Sequence, residues 1–331
     1  MPSLSARTKL AAMQNRVIGL SLSLALSASA LACGGGTDNL PPPPAAPPAA
    51  PEPLPAASAA PDPSEPKPTA PAPTLAVGEA SADPAAPLPT VRIVAPAKDQ
   101  LLKDNASDFA VKLDVKNWKT AEGDAHVHLI LDNKPYKPIY DTKAPVKLSE
   151  LTGGDPLTEG EHVLVAFPSR KNHESVKTKG SLFAVRFFVG KKDAKTDLAK
   201  APTLIYSRPK GEYKGPAAQH VLVDFNLLNV ELGEGKHSVK LVVSGPGIDG
   251  NLTQVAKQFG PPFYLDNLRT GSYTVLAELQ DKDGKPVAGA WNSTTRTIAV
   301  DPAAPADPAG AHGGHGAAAP AAADAGAPKA K

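Results

Sequence analysis

Two stretches decide how this chain folds: "LTEGEHVLVAF" at residues 157–167 and "LRTGSYTVLAEL" at residues 268–279. Both run Leu-x-x-Gly, one residue, an aromatic ring, one residue, then Val or Leu. The chain therefore repeats itself. Working outward, each stretch is preceded by the same series of short runs. A first apolar run ends in proline, "VRIVAP" (91–96) and "TLIYSRP" (203–209). A longer alternating run follows, "DFAVKLDVKNW" (108–118) and "HVLVDFNLLNV" (220–230), then a third, "AHVHLILD" (125–132) and "HSVKLVVS" (237–244). Looser segments end in "VKLSEL" (146–151) and "FYLDNL" (263–268), and each unit closes on a β-rich run, "SLFAVRFFV" (181–189) or "TTRTIAV" (294–300). Period-two strands separated by Gly, Pro, Asn and Asp turns, in units of ~100 residues, predict antiparallel β-sandwiches. No run has the spacing of an amphipathic helix.

Gly271-x-Tyr273 resembles the tyrosine corner of immunoglobulin and fibronectin III folds, in which the phenol bonds back to the main chain. The expected fold is thus all-β, with two tandem Ig-like sandwiches at 90–190 and 202–301. A polar, lysine-rich linker at 191–201 joins them. Cys33 is the only cysteine of the chain, so no intersheet disulfide can form.

Composition divides the rest. Residues 34–89 are Pro/Ala-rich and hold about half of the 37 prolines. Such a segment has too few aromatic and β-branched residues to bury a core. It reads as an extended tether, and residues 302–331 as a disordered tail whose His312 and His315 are at most weak metal ligands. With 35 basic and 33 acidic residues the net charge is +2, too small a field to suggest nucleic acid.

The N-terminus carries Arg7, Lys9 and Arg16 with no acid, then the apolar run "VIGLSLSLALSASALA" (17–32). This is the pattern of an export signal. The following "SALACGGG" (29–36) resembles the lipobox of bacterial lipoproteins, with Leu31 and Ala32 before the cysteine and Ala30 where leucine is usual. The resemblance implies that residues 1–32 are removed and that Cys33 takes up diacylglycerol and palmitate. The chain would then be held in a bilayer by its acyl chains, in the bacterial cell envelope, with Gly34 leaning towards the outer membrane.

The third run of the first unit, "AHVHLILD", sets two histidines on one side of a strand. Val127, Leu129 and Leu131 should face the core, and His126, His128 and Ile130 the outside. Residues two apart on a strand lie ~7 Å apart, near enough for two imidazoles to share an ion. In an immunoglobulin-like topology this strand pairs antiparallel with the sixth, so its start lies near the loop that carries His173. His126, His128 and His173 are the candidate metal ligands, and imidazoles without a thiolate or carboxylate suit copper or zinc. The competing reading is a polar outer sheet face, since the second unit has Ser238 and Lys240 at the equivalent places. His162 falls at the other end of the pairing, near Asp132, and aligns with Tyr273.

The first unit also resembles an uncharacterised periplasmic family with a Gly-His-x-His-Leu-x-x-Asp strand, a later Gly-x-His strand and an Asp-x-x-His. His126, His128, Asp132, His162 and His173 fall on those positions. Asp124-Ala125 replaces the family's Gly, and Ser-Arg-Lys-Asn stands before His173. What this implies is an exported β domain, a fold and a location more than a mechanism.

No G-x-S-x-G, P-loop, H-E-x-x-H or C-x-x-C occurs, so catalysis is not expected. Asp281, Asp283 and Gly284 resemble a calcium loop but lack its bidentate glutamate, and an Asp-Gly hairpin accounts for them. Trp118 and Trp291 sit at strand margins, where packing is expected over sugar stacking. The function expected is non-catalytic: two modules presented away from a membrane to a protein or glycan partner, with copper or zinc binding by the first as the alternative.

Overall fold

The computed structural model describes residues 70–103 and 106–306. In chain order the strands are β1 (Thr74–Val77), β2 (Thr90–Ala95), β3 (Gln100–Leu102), β4 (Ala110–Lys116), β5 (His126–Leu131), β6 (Lys137–Ile139) and β7 (Val146–Lys147). After the single helical turn α1 (Ser149–Thr152) come β8 (Gly160–Ser169), β9 (Phe183–Val189), β10 (Thr203–Arg208), β11 (Gly211–Lys214) and β12 (His220–Leu228). The last are β13 (Ser238–Ser244), β14 (Leu252–Ala256), β15 (Phe263–Asp266), β16 (Gly271–Gln280) and β17 (Ser293–Asp301). Among the described residues no helix is long and apolar enough to cross a membrane.

The strands form two sandwiches on one plan. In the first, a sheet β2-β4-β7 faces a sheet β3-β9-β8-β5-β6. In the second, β1-β15-β12-β10 faces β11-β17-β16-β13-β14. Pro96 and Pro209 follow the opening strands, where a residue without an N–H cannot extend the ladder. Past them the chain crosses to the opposite sheet. There β3 lies parallel to β9, and β11 parallel to β17. Alternation does what it predicts inside each sandwich. Val127, Leu129 and Leu131 join Val91, Val111, Leu164 and Phe187 in the first core. Leu204, Tyr206, Val223, Leu241, Tyr273 and Val275 build the second.

Tyr273 closes the corner read from Gly271-x-Tyr273. Its hydroxyl accepts from the Arg269 N–H at 2.8 Å and donates to the Pro246 carbonyl at 2.8 Å. A Cβ at Gly245 would collide with the Tyr273 ring, so the chain needs glycine where it passes that ring.

Two expectations are corrected. The tether was expected to run unstructured to residue 89, yet β1 lies within it. Thr74–Val77 pairs antiparallel with β15, Leu75 opposite Leu265, and Leu75 is buried in the second core. The island "TLAV" is the one place in the proline-rich segment with the apolar residues to join a sheet, and the second sandwich has an open edge beside β15. A segment preceding the first sandwich thus completes the second. The signal segment 1–32, Cys33, the tether as far as residue 69, and His312 and His315 of the tail lie outside the described residues.

The second correction concerns the outer face of β5. It is not solvated: all six residues of the strand are buried. Ile130 packs with Val163, Val165 and Phe167 of β8, with Tyr136, and with Ile205 of β10 from the second sandwich. Leu228 and Trp291 border this cluster. The face is a seam between the two sandwiches. Every outward side chain of β8 from Val163 to Phe167 is apolar, so leaving the seam open would expose a continuous hydrophobic surface.

Candidate metal centre

Antiparallel pairing of β5 with β8 sets His126 opposite Ser169, the last residue of β8. The chain then turns over Arg170–His173, where the His173 N–H donates to the Arg170 carbonyl at 2.9 Å and His173 adopts φ +68°. That left-handed residue aims its ring back over the start of β5. The three expected ligands meet. His126, His128 and His173 are 0 %, 0 % and 2 % exposed, and their facing nitrogens all lie within 4.8 Å of one another. His126 Nε2 stands 3.0 Å from His128 Nε2 and 3.0 Å from His173 Nδ1.

The tautomers are set from behind. His126 Nδ1 lies 2.8 Å from the Asp124 carbonyl, which can only accept, so Nδ1 carries the proton and Nε2 offers one lone pair. That lone pair faces two nitrogens. One contact can be a hydrogen bond. The other brings two ring nitrogens together with no proton between them, sets a second N–H competing for the same lone pair, or requires an extra proton. Burial, and then the neighbouring His126, His173, Arg208 and Lys210, hold His128 well below the ordinary imidazole range, so the extra proton is unfavourable. A cation at the centre of the three nitrogens resolves the conflict. Tetrahedral coordination with ~2.0–2.1 Å bonds sets ligand atoms about 3.3 Å apart, near the two 3.0 Å spacings from His126 Nε2, while the His128–His173 pair lies within 4.8 Å.

Tyr136 was missed by sequence reasoning. Its ring stacks on His128 with centroids 3.5 Å apart and planes at 13°, and its hydroxyl lies 3.2 Å from His173 Nδ1. Two stacked rings cannot both direct in-plane lone pairs at one ion, so Tyr136 is a wall of the site and not a ligand. Lys210 Nζ lies 4.3 Å from that ring and the Arg208 guanidinium 5.5 Å. Burial, with Arg208 and Arg296 nearby, brings the Lys210 ammonium down to about 7. No signal in the sequence of the first unit could place these second-sandwich cations.

His162 belongs elsewhere. Its Nδ1 lies 2.6 Å from Asp132 Oδ2 and its Nε2 2.8 Å from the Thr158 carbonyl. Burial by itself would lower its pKa, but the hydrogen bonds to Asp132 and Thr158 win and raise it. Asp132 also accepts from the Val163 N–H at 2.8 Å, so the pair ties the end of β5 to β8. Asp281 is a turn residue that accepts from the N–H groups of Asp283 and Lys285, each at 2.9 Å. Trp118 packs on the first core and donates to the His126 carbonyl at 3.0 Å.

Three strands oppose five in the first unit and four oppose five in the second, and in both the short second strand of the unit runs parallel to the last. The chain carries two tandem immunoglobulin-like sandwiches. Solved structures of similar build include the fibronectin(III)-like modules of Clostridium thermocellum CbhA, 14% identical over 64% of this chain and 95% of that one, with a TM-score of 0.22. The D00-D0 domain of intimin is 11% identical over 64% of this chain and 99% of that one, with a TM-score of 0.21. A third is the Bacteroides ovatus mixed-linkage glucan utilization locus SGBP-B, solved in complex with a mixed-linkage heptasaccharide. It is 10% identical over 63% of this chain and 70% of that one, with a TM-score of 0.18. No protein-family model and no curated protein matches the chain.

Proposed function

We propose that this protein is a non-catalytic lipoprotein of the bacterial envelope whose tandem modules hold a copper ion at His126, His128 and His173. One observation supports the metal reading above the others: the single lone pair of His126 Nε2 faces two further ring nitrogens at 3.0 Å in a buried site. Copper is preferred to zinc. Imidazole suits both, and zinc usually completes its shell with a thiolate, carboxylate or water. The Arg208 guanidinium nearby favours the ion of lower charge, which is cuprous copper. Burial of all three histidines supports holding over turnover, because it keeps a substrate away from the ion. The lipobox-like Cys33 and the tether after it support the anchor and the envelope location.

Competition with a chromophoric copper(I) chelator, beside a zinc titration, tests the metal reading in a chain cut before the His312 and His315 tail. Dissociation constants well below micromolar, lost in His126→Ala, are expected; binding weaker than micromolar, or unchanged in that variant, refutes it. For the anchor, labelling with radioactive palmitate should mark the protein and fail in Cys33→Ala.

A further inference from the structure

We infer that the metal centre belongs to both sandwiches: Ser207 of the second is the positioning residue for His128 of the first, so that metal occupancy couples the two modules. This rests on the metal reading above and adds to it a residue outside the ligand set.

His128 presents Nε2 to the cluster only if Nδ1 carries the proton, and that proton needs an acceptor in a place without water. His126 finds its acceptor two residues away in its own chain, the Asp124 carbonyl. His128 does not. Its Nδ1 lies 3.2 Å from Ser207 Oγ, across the seam. Both residues are 0 % exposed. Outer partners of ligating histidines fix the tautomer and ring orientation, and their loss typically weakens metal affinity 10- to 100-fold.

Ser207 is itself held firmly. It lies on the face of β10 that also carries Ile205 into the seam, while Leu204 and Tyr206 point to the second core. The Arg296 guanidinium of β17 donates to the Ser207 carbonyl at 2.9 Å and to the Tyr206 carbonyl at 2.7 Å. The same group reaches the Asn133 carbonyl of the first sandwich at 3.4 Å, and Asn133 Nδ2 donates to Thr294 Oγ1 at 2.6 Å. The third ligand is tied across the seam as well. The backbone N–H of Ser175, two residues after His173, donates to Asp224 of β12 at 3.0 Å, and Lys177 pairs with Asp224 at 2.6 Å. Two of the three ligands therefore depend on second-sandwich side chains for their placement, and an ion that fixes them fixes the seam.

The test measures copper(I) affinity of the full chain and its Ser207→Ala and Ser207→Thr variants by chelator competition. Hydrogen exchange of the wild type is followed with and without copper(I). Expected are an affinity about tenfold or more lower in Ser207→Ala, recovery in Ser207→Thr, and slower exchange of β10 amides when copper is bound. An unchanged affinity in Ser207→Ala, or copper protection confined to β5 and β8, overturns the coupling while leaving the three-histidine site standing. Wild-type protein that takes up no copper overturns the metal reading itself and the coupling with it.

Discussion

Leu75 and Leu265 face each other across an antiparallel pair and are buried together in the second core, although the whole first sandwich lies between them in the chain. This short strand is held by its backbone bonds to β15, by that buried leucine and by Gln254 Nε2, which donates to the Leu75 carbonyl at 3.1 Å. Leu75→Ala should destabilise the second sandwich by about 2–5 kcal/mol, the usual cost of emptying a buried leucine site. Denaturant unfolding followed separately in the two sandwiches checks this; equal shifts in both would mean that they unfold as one unit.

Asp224 and Lys177 form a pair that is 0 % and 10 % exposed at the side chain, and Ser175 adds a backbone bond to the same carboxylate. Removing the acid strands a largely buried ammonium. Asp224→Ala should cost about 3–5 kcal/mol, and copper affinity should fall with it because the His173 loop loses its support. Lys177→Met strands the fully buried carboxylate in turn, with only the Ser175 hydrogen bonds left to hold it, and should destabilise as well.

His162 gives a pH dependence of known sign. Its folded pKa is raised, because Asp132 and Thr158 outweigh burial. Its contribution is then complete below the unfolded imidazole value of about 6.5 and is lost as pH rises through the higher folded value. Asp132→Asn should flatten this part of the stability–pH curve. The proton NMR titration of the His162 ring reports the shift directly, and a midpoint below 6.5 would contradict it.

The tyrosine corner predicts a modest, local loss. Tyr273→Phe keeps the buried ring and deletes the hydroxyl that serves Arg269 and Pro246, at a cost of about 1–3 kcal/mol. The expected signature is faster amide exchange at Arg269 and little change in the first sandwich.

Much of this architecture could be read from alternation and turns. The strand pairing that brings His173 to His126 follows from topology alone once "AHVHLILD" is the third strand and "GEHVLVAF" the sixth. What alternation cannot say is whether an outer face meets water or another domain. The sequence did contain a sign of it: "HVLVAF" is apolar at every position from Val163 to Phe167, the pattern of a strand buried on both sides. Ser207, Arg208 and Lys210 were illegible because nothing local records which sheet docks where. Leu75 was hidden differently. Composition averaged over the proline-rich segment masked four residues able to form a strand.

The position of β1 also sets the path of mechanical load. Force applied at the N-terminus, from an anchor or any other attachment, enters the folded part at Thr74 and meets the β1–β15 ladder before it reaches β2. The module farther along the chain bears the pull first. Synthesis runs the other way: β1 leaves the ribosome before either sandwich, and its partner at 263–266 arrives only after the whole first module has been made. Until then Leu75 has no core to enter. The second sandwich can be completed only by a strand the ribosome finished long before.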